Sequence, residues 1–128
     1  MPTYRRAFPG QPDEISRARH FTYHHLRRSP VVAEVCLMVS EVATNAVRHT
    51  RSGELGGQFT LALTVGEGSV RVEVADEGSA EGEVPQVEAM TSLEAERGRG
   101  LAIVHALADR HGVVQPNTVW FQITWEPE

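Results

Sequence analysis

The sequence predicts a single α/β layered domain, and three observations predict it. Apolar residues recur at helical spacing in three segments. They alternate at strand spacing in others. No repeat or linker interrupts the 128 residues, a length that buries one core but not two.

Taken in order, Tyr4 to Phe8 is a short edge strand closed by Pro9-Gly10. Asp13 caps a first helix to about Arg28, with Ile15, Ala18, Phe21 (or Thr22) and Leu26 near helical spacing. Ser29-Pro30 breaks the chain and starts a second helix, about Val31 to His49. Its stripe is Val32, Val35, Val39, Val42 and Ala46, widened by Cys36, Ala43 and Val47. Phe59, Leu61, Leu63 and Val65, then Val70, Val72 and Val74, alternate with polar or small residues around the turn Gly66-Glu67-Gly68-Ser69. They form an antiparallel hairpin with one buried face. Residues 77–97 have no period and carry Glu77, Glu81, Glu83, Glu88, Glu94 and Glu96 against Arg97. A structureless stretch of that length, ~20 residues, is usually functional or disordered. A third helix runs from Gly98 to Arg110 and ends at His111-Gly112. Val113-Val114 and Thr118 to Trp125 are the last strands, joined by Pro116-Asn117.

Composition excludes several classes. All twelve basic residues are arginine, so a Walker P-loop, with its lysine, is absent, as is any Schiff-base or lysine-base chemistry. A net charge of −5 gives no expectation of nucleic-acid binding. Arg5, Arg6, Arg17, Arg19, Arg27 and Arg28 are either a solvated face or a contact surface for an acidic protein partner. The one cysteine, Cys36, cannot form an internal disulfide and reads as a small core residue in a reducing compartment. No apolar run approaches the ~20 residues that span a bilayer. With no apolar signal-peptide core, a cytoplasmic location is expected.

Three groups could carry chemistry. Asp76 shares the parity of Val70, Val72 and Val74, so a carboxylate continues the buried stripe where its strand ends. It either caps the Asp-Glu-Gly turn or accepts hydrogen bonds from an amino group, such as that of adenine. Glu41 and Asn45 lie four apart on one helix face, flanked by Thr44, Arg48 and His49. This is either an ordinary polar face, or an amide oxygen for Mg²⁺ beside a carboxylate that takes a proton. In Glu96-Arg97-Gly98-Arg99-Gly100-Leu101, glycines at a helix start leave backbone N–H groups open to an anion, with two arginines as further donors. The alternative is a plain loop-to-helix turn. His20 and His24 stand four apart but lack the glutamate of a metalloprotease pattern, and read as surface residues.

The order Glu41-Val-Ala-Thr-Asn45-Ala-Val-Arg-His49, Asp76-Glu-Gly78, Gly98-Arg-Gly100-Leu-Ala-Ile-Val104 resembles the N, G1 and G2 boxes of the GHKL ATPases. The chain looks closest to the small stand-alone branch, the anti-sigma-factor serine/threonine kinases and their actinobacterial relatives. Phe8-Pro-Gly-Gln-Pro, Ala18-Arg-His-Phe21 and Thr118-Val-Trp-Phe121 are similar to that branch as well.

The resemblance implies a Bergerat fold: a two-layer α+β sandwich with a mixed, mostly antiparallel sheet and about three helices on one face. ATP with Mg²⁺ would lie between helices under a lid at about 79–97. Glu41 would be the catalytic base and Asn45 the Mg²⁺ ligand. Asp76 would read the adenine amine, with Gly78 giving the backbone room. Arg97, Gly98, Arg99, Gly100 and Leu101 would meet the phosphates, and Thr118 the adenine end. Implied partners are a sigma factor or an anti-sigma antagonist, and a homodimer is compatible with it. Two departures stand out: Ala80 replaces a second G1 glycine, and the lid is acidic. They leave open a non-catalytic ATP-binding interaction module.

Overall fold

A computed structural model of the chain describes residues 1–49, 53–77, 99–114 and 117–126. The elements are β1 (Thr3–Pro9), α1 (Glu14–Leu26), α2 (Val32–His49), β2 (Gln58–Val65), β3 (Ser69–Ala75), α3 (Arg99–Leu107), β4 (Arg110–Val114) and β5 (Thr118–Thr124). The strands form one sheet in the order β1-β2-β3-β5-β4, and every described pairing is antiparallel. The fold is the expected two-layer α+β sandwich.

Alternation builds the sheet. Phe8, Phe59, Leu61, Leu63, Val70, Val72, Val74, Val119, Phe121 and Ile123 are buried and share its helix-facing side. Each such side chain adds ~1.5–3 kcal/mol over leaving it in water. Phe8 stacks on Phe59 across β1 and β2, ring centroids 5.4 Å apart. From the helix layer, α2 contributes Val35, Val39, Val42, Ala43 and Ala46 of the expected stripe, together with Met38, which the expected stripe did not include, while Val32, Cys36 and Val47 are only half-buried. It packs between α1 and α3 over β2 and β3, with α1 toward β1 and α3 toward β4.

Helix ends differ from expectation in instructive ways. Asp13 occupies the position before α1 but makes no side-chain cap. Glu14 and Ile15 instead donate their N–H groups to Gln11 and Pro12 carbonyls. At its other end α1 stops at Leu26, where a turn bonds Ser29 N–H to the Leu26 carbonyl. The third helix ends at Leu107, not Arg110, because the next residues are captured by β5. Asp109 donates its N–H to the Gln122 carbonyl, and its carboxylate accepts from the N–H and hydroxyl of Thr124. His111 and Gly112 are therefore strand residues paired with Phe121 and Trp120. Gly112 is not a helix cap: a Cβ there would lie 2.9 Å from the indole nitrogen of Trp120.

The topology brings three chain segments to one end of the sheet. The end of β3, at Ala75, pairs with Thr60 and Thr118. The C-terminal end of α2 returns into β2 at Gln58, beside it. Helix α3 feeds β4 at Arg110, which pairs with Gln122 well along β5, so its start lies toward the Thr118 end. By this topology the ends of β3 and α2 and the start of α3 lie toward the same end of the sheet.

Candidate nucleotide site

Asp76 follows the last residue of β3 and is half-buried, next in the alternation that buries Val70, Val72 and Val74. Its backbone is fixed by Asn117. The Asp76 N–H donates to the Asn117 carbonyl at 3.0 Å, and the Asn117 side-chain amide donates to the Asp76 carbonyl. The neighbouring carboxylate does different work. Glu77 is exposed, and its Oε1 accepts the Gln58 backbone N–H at 2.7 Å, tying the end of β3 to the start of β2. Adjacent acids thus divide: Glu77 closes the sheet end, while Asp76 continues the buried register.

Glu41 and Asn45 are both half-buried on α2. The Cys36 thiol reaches the Arg19 carbonyl of α1, which marks the α1 flank of this helix. At ~3.6 residues per turn, Glu41 and Asn45 fall on the opposite flank, toward α3. The Nδ2 of Asn45 is buried and has no hydrogen-bond partner among the described residues. A buried polar atom without a partner costs ~1–3 kcal/mol, so a retained orphan needs an explanation. Amide oxygen and nitrogen exchange places by a simple flip, so this unspent polar end can turn either a donor or an acceptor toward a ligand. The donor set fits a phosphate-bound Mg²⁺: a hard amide oxygen, with a carboxylate one helical turn away.

Neighbouring hydroxyls take no part. Ser40 donates to the Cys36 carbonyl at 2.8 Å and Thr44 to the Ser40 carbonyl at 2.6 Å, spending both on the helix itself. Residues Arg99, Gly100 and Leu101 form the first turn of α3, as the helix-start reading expects. That turn offers backbone N–H groups to an anion. Gly78, Arg97 and Gly98, with the lid at 79–97, lie outside the described residues. Thr118 pairs with Ala75 and shares the face of Trp120 and Gln122, the side of the sheet away from the helices. It is near the Asp76 backbone but does not face α2.

Sequence reasoning missed Asn117, which it read only as part of a turn. Its signal is non-local: the asparagine precedes the strand that pairs with β3, so it meets the end of β3 across the sheet.

A helix flank with a carboxylate and a buried amide nitrogen unpartnered among the described residues, a strand-end aspartate and a helix start are groups that a triphosphate site outside the P-loop class would need. The model of the histidine kinase-like ATPase domain matches residues 8–123. The chain belongs to this family. The match runs from Phe8 in β1 to Ile123 in β5 and includes every residue named for the site. As a histidine kinase-like ATPase domain, a GHKL-type ATPase, the chain is an ATP-binding domain. No curated protein matches it. No helix among the described residues is long and apolar enough to cross a membrane.

Proposed function

We propose that this ATPase domain is a cytoplasmic regulatory switch of the anti-sigma kinase type, transferring the γ-phosphoryl of ATP to a serine or threonine of an antagonist protein and sequestering a sigma factor. The observation that carries the reading is the Glu41–Asn45 flank of α2, whose buried Asn45 Nδ2 has no partner among the described residues, with the backbone of Asp76 fixed by Asn117. Asp76 would accept the adenine amine. Asn45 would hold Mg²⁺, whose charge offsets that of the triphosphate. The first turn of α3, with Arg97 and Gly98 before it, would meet the phosphates. Glu41 would take the proton of the attacking hydroxyl as its oxygen bonds to the γ-phosphorus and the bond to the β-phosphate oxygen breaks, releasing ADP.

A second reading is a non-catalytic ATP-binding interaction module. Ala80 in place of a glycine and six glutamates within residues 77–97 favour it, since a negatively charged cover opposes closure over a triphosphate. The deciding experiment mixes the protein with γ-labelled ATP and a candidate antagonist. Label transfer that disappears in Glu41→Ala supports the kinase. ATP binding without transfer or ADP formation for any partner supports the module.

A further inference from the structure

Helices α1 and α2 leave a groove on the side of α2 away from the nucleotide site. It holds about 450 Å³ and is lined by Arg19, His20, Tyr23, Val32, Ala33 and Cys36, with Ser16 at its end. That volume lies within the ~300–1,000 Å³ of specific binding clefts. Its walls are mostly apolar, and one of the residues lining it, Tyr23, is a large side chain left 54% exposed.

The charge around it is one-sided. No acidic residue lines the groove, although the chain as a whole carries −5. Arg19 stands exposed at the rim with no ion-pair partner among the described residues. The nearest acid on α1, Glu14, is taken by Arg17 at 3.2 Å. Glu34 of α2 projects to the other flank by helical spacing. Burial pushes the Cys36 thiol up while the Arg19 guanidinium opposes that rise, so the cation acts on the groove's interior.

We propose that the α1–α2 groove docks an acidic amphipathic helix of a partner protein. Apolar side chains at i, i+3 or i+4 and i+7 would enter between Tyr23, Val32, Ala33 and Cys36, and carboxylates along the helix edge would meet Arg19 and His20. Two helices side by side leave a seam of the shape a third helix fills. This surface is separate from the nucleotide site, and the inference stands whether or not the chain is a kinase.

The test uses the full chain and a synthetic 18-residue peptide with leucines at helical spacing and glutamates between them, beside a matched peptide with lysines. Fluorescence anisotropy follows binding, and the rate of maleimide addition to Cys36, the chain's sole cysteine, reports occupation of the groove. The acidic peptide is expected to bind, to slow Cys36 modification severalfold, and to weaken as salt rises. The lysine peptide is expected not to bind. Ala33→Glu and Arg19→Glu, both at exposed positions, should each weaken the acidic peptide about tenfold or more, roughly 1.4 kcal/mol. Both should leave ATP titrations unchanged, which separates this failure from that of the nucleotide reading. Absence of acidic-peptide binding would overturn the proposal. So would binding to both variants as tight as to the wild-type chain, or binding that leaves Cys36 modification unchanged.

Discussion

Asn117 grips Asp76 by both sides of its peptide, accepting the Asp76 N–H at its own carbonyl and donating its side-chain amide to the Asp76 carbonyl. One residue on the loop entering β5 therefore sets where the β3 carboxylate stands. Replacing it with alanine removes a side-chain hydrogen bond worth ~0.5–1.5 kcal/mol to stability. Asn117→Ala should lower the thermal midpoint by a few degrees. It should also weaken ATP several-fold, because the carboxylate loses its fixed position. Parallel thermal melts and ATP titrations check this, and a variant that melts lower but binds ATP normally would confine Asn117 to a structural role.

Asn45 offers a test in the opposite direction. Its buried Nδ2 has no partner among the described residues. Asn45→Leu replaces that orphan by an apolar group of similar size and should raise ligand-free stability by ~1–3 kcal/mol. The same change should abolish the Mg²⁺ dependence of ATP binding. Denaturant unfolding and titrations with and without Mg²⁺ measure both, and a destabilised variant would show that the amide is satisfied in the ligand-free protein.

His25 ties α1 to the edge strand. Its ring stacks on Tyr4 at 3.9 Å and meets Phe21 edge-on at 4.7 Å. Burial holds its pKa below the ordinary histidine value, and the nearby His24 lowers it further. Arg28, Glu67 and Glu126 stand around the adjoining cavity. With the folded pKa below the unfolded one, the unfolded chain binds more protons in the window between them. The His25 contribution is present above the unfolded pKa, near 6.5, and is lost as pH falls through the lowered folded value. Stability should therefore drop as pH falls from neutral through and below the ordinary histidine value, and His25→Phe should flatten that part of the profile. Unfolding midpoints across this range check the sign.

Gly112 is needed for Trp120. An added Cβ would meet indole atoms at 2.9 to 3.2 Å, and Trp120 is held from its other neighbour by Arg71, whose guanidinium lies 4.1 Å from the ring centroid. Overpacking of this sort costs ~1–3 kcal/mol. Gly112→Val should destabilise by that amount and change the tryptophan emission. An unchanged midpoint would show that the indole moves aside freely.

Much of this was legible in the sequence because its causes are local. The α2 stripe and the hairpin of β2 and β3 follow from side-chain periods of 3.6 and 2, and most of their buried residues are those the pattern names, with Met38 buried beyond it and Val32, Cys36, Val47 and Val65 left half-buried. Asp76 was legible for the same reason, as the next residue in an alternation. The end of α3 was not, since Asp109 leaves the helix to bond Thr124 and Gln122, partners that lie on β5. Gly112 resembled a helix cap because a glycine after a helix usually is one; only the indole across the sheet shows its other use. Asn117 carries no periodic signal, and its role depends on strand order.

The central claim is that ATP is held at the Asp76 end of the sheet, and calorimetric titration of MgATP into the wild-type chain and Asp76→Asn tests it most directly. Asn is nearly isosteric and keeps one acceptor oxygen, but it loses the carboxylate's charge and replaces its second acceptor by an NH2 donor, and mismatches of buried hydrogen-bonding groups cost ~1–3 kcal/mol or more. The account predicts binding to the wild type and a loss of at least about tenfold in Asp76→Asn, with the fold retained. Absence of binding heat in the wild type, or equal affinity in the two proteins, would contradict it.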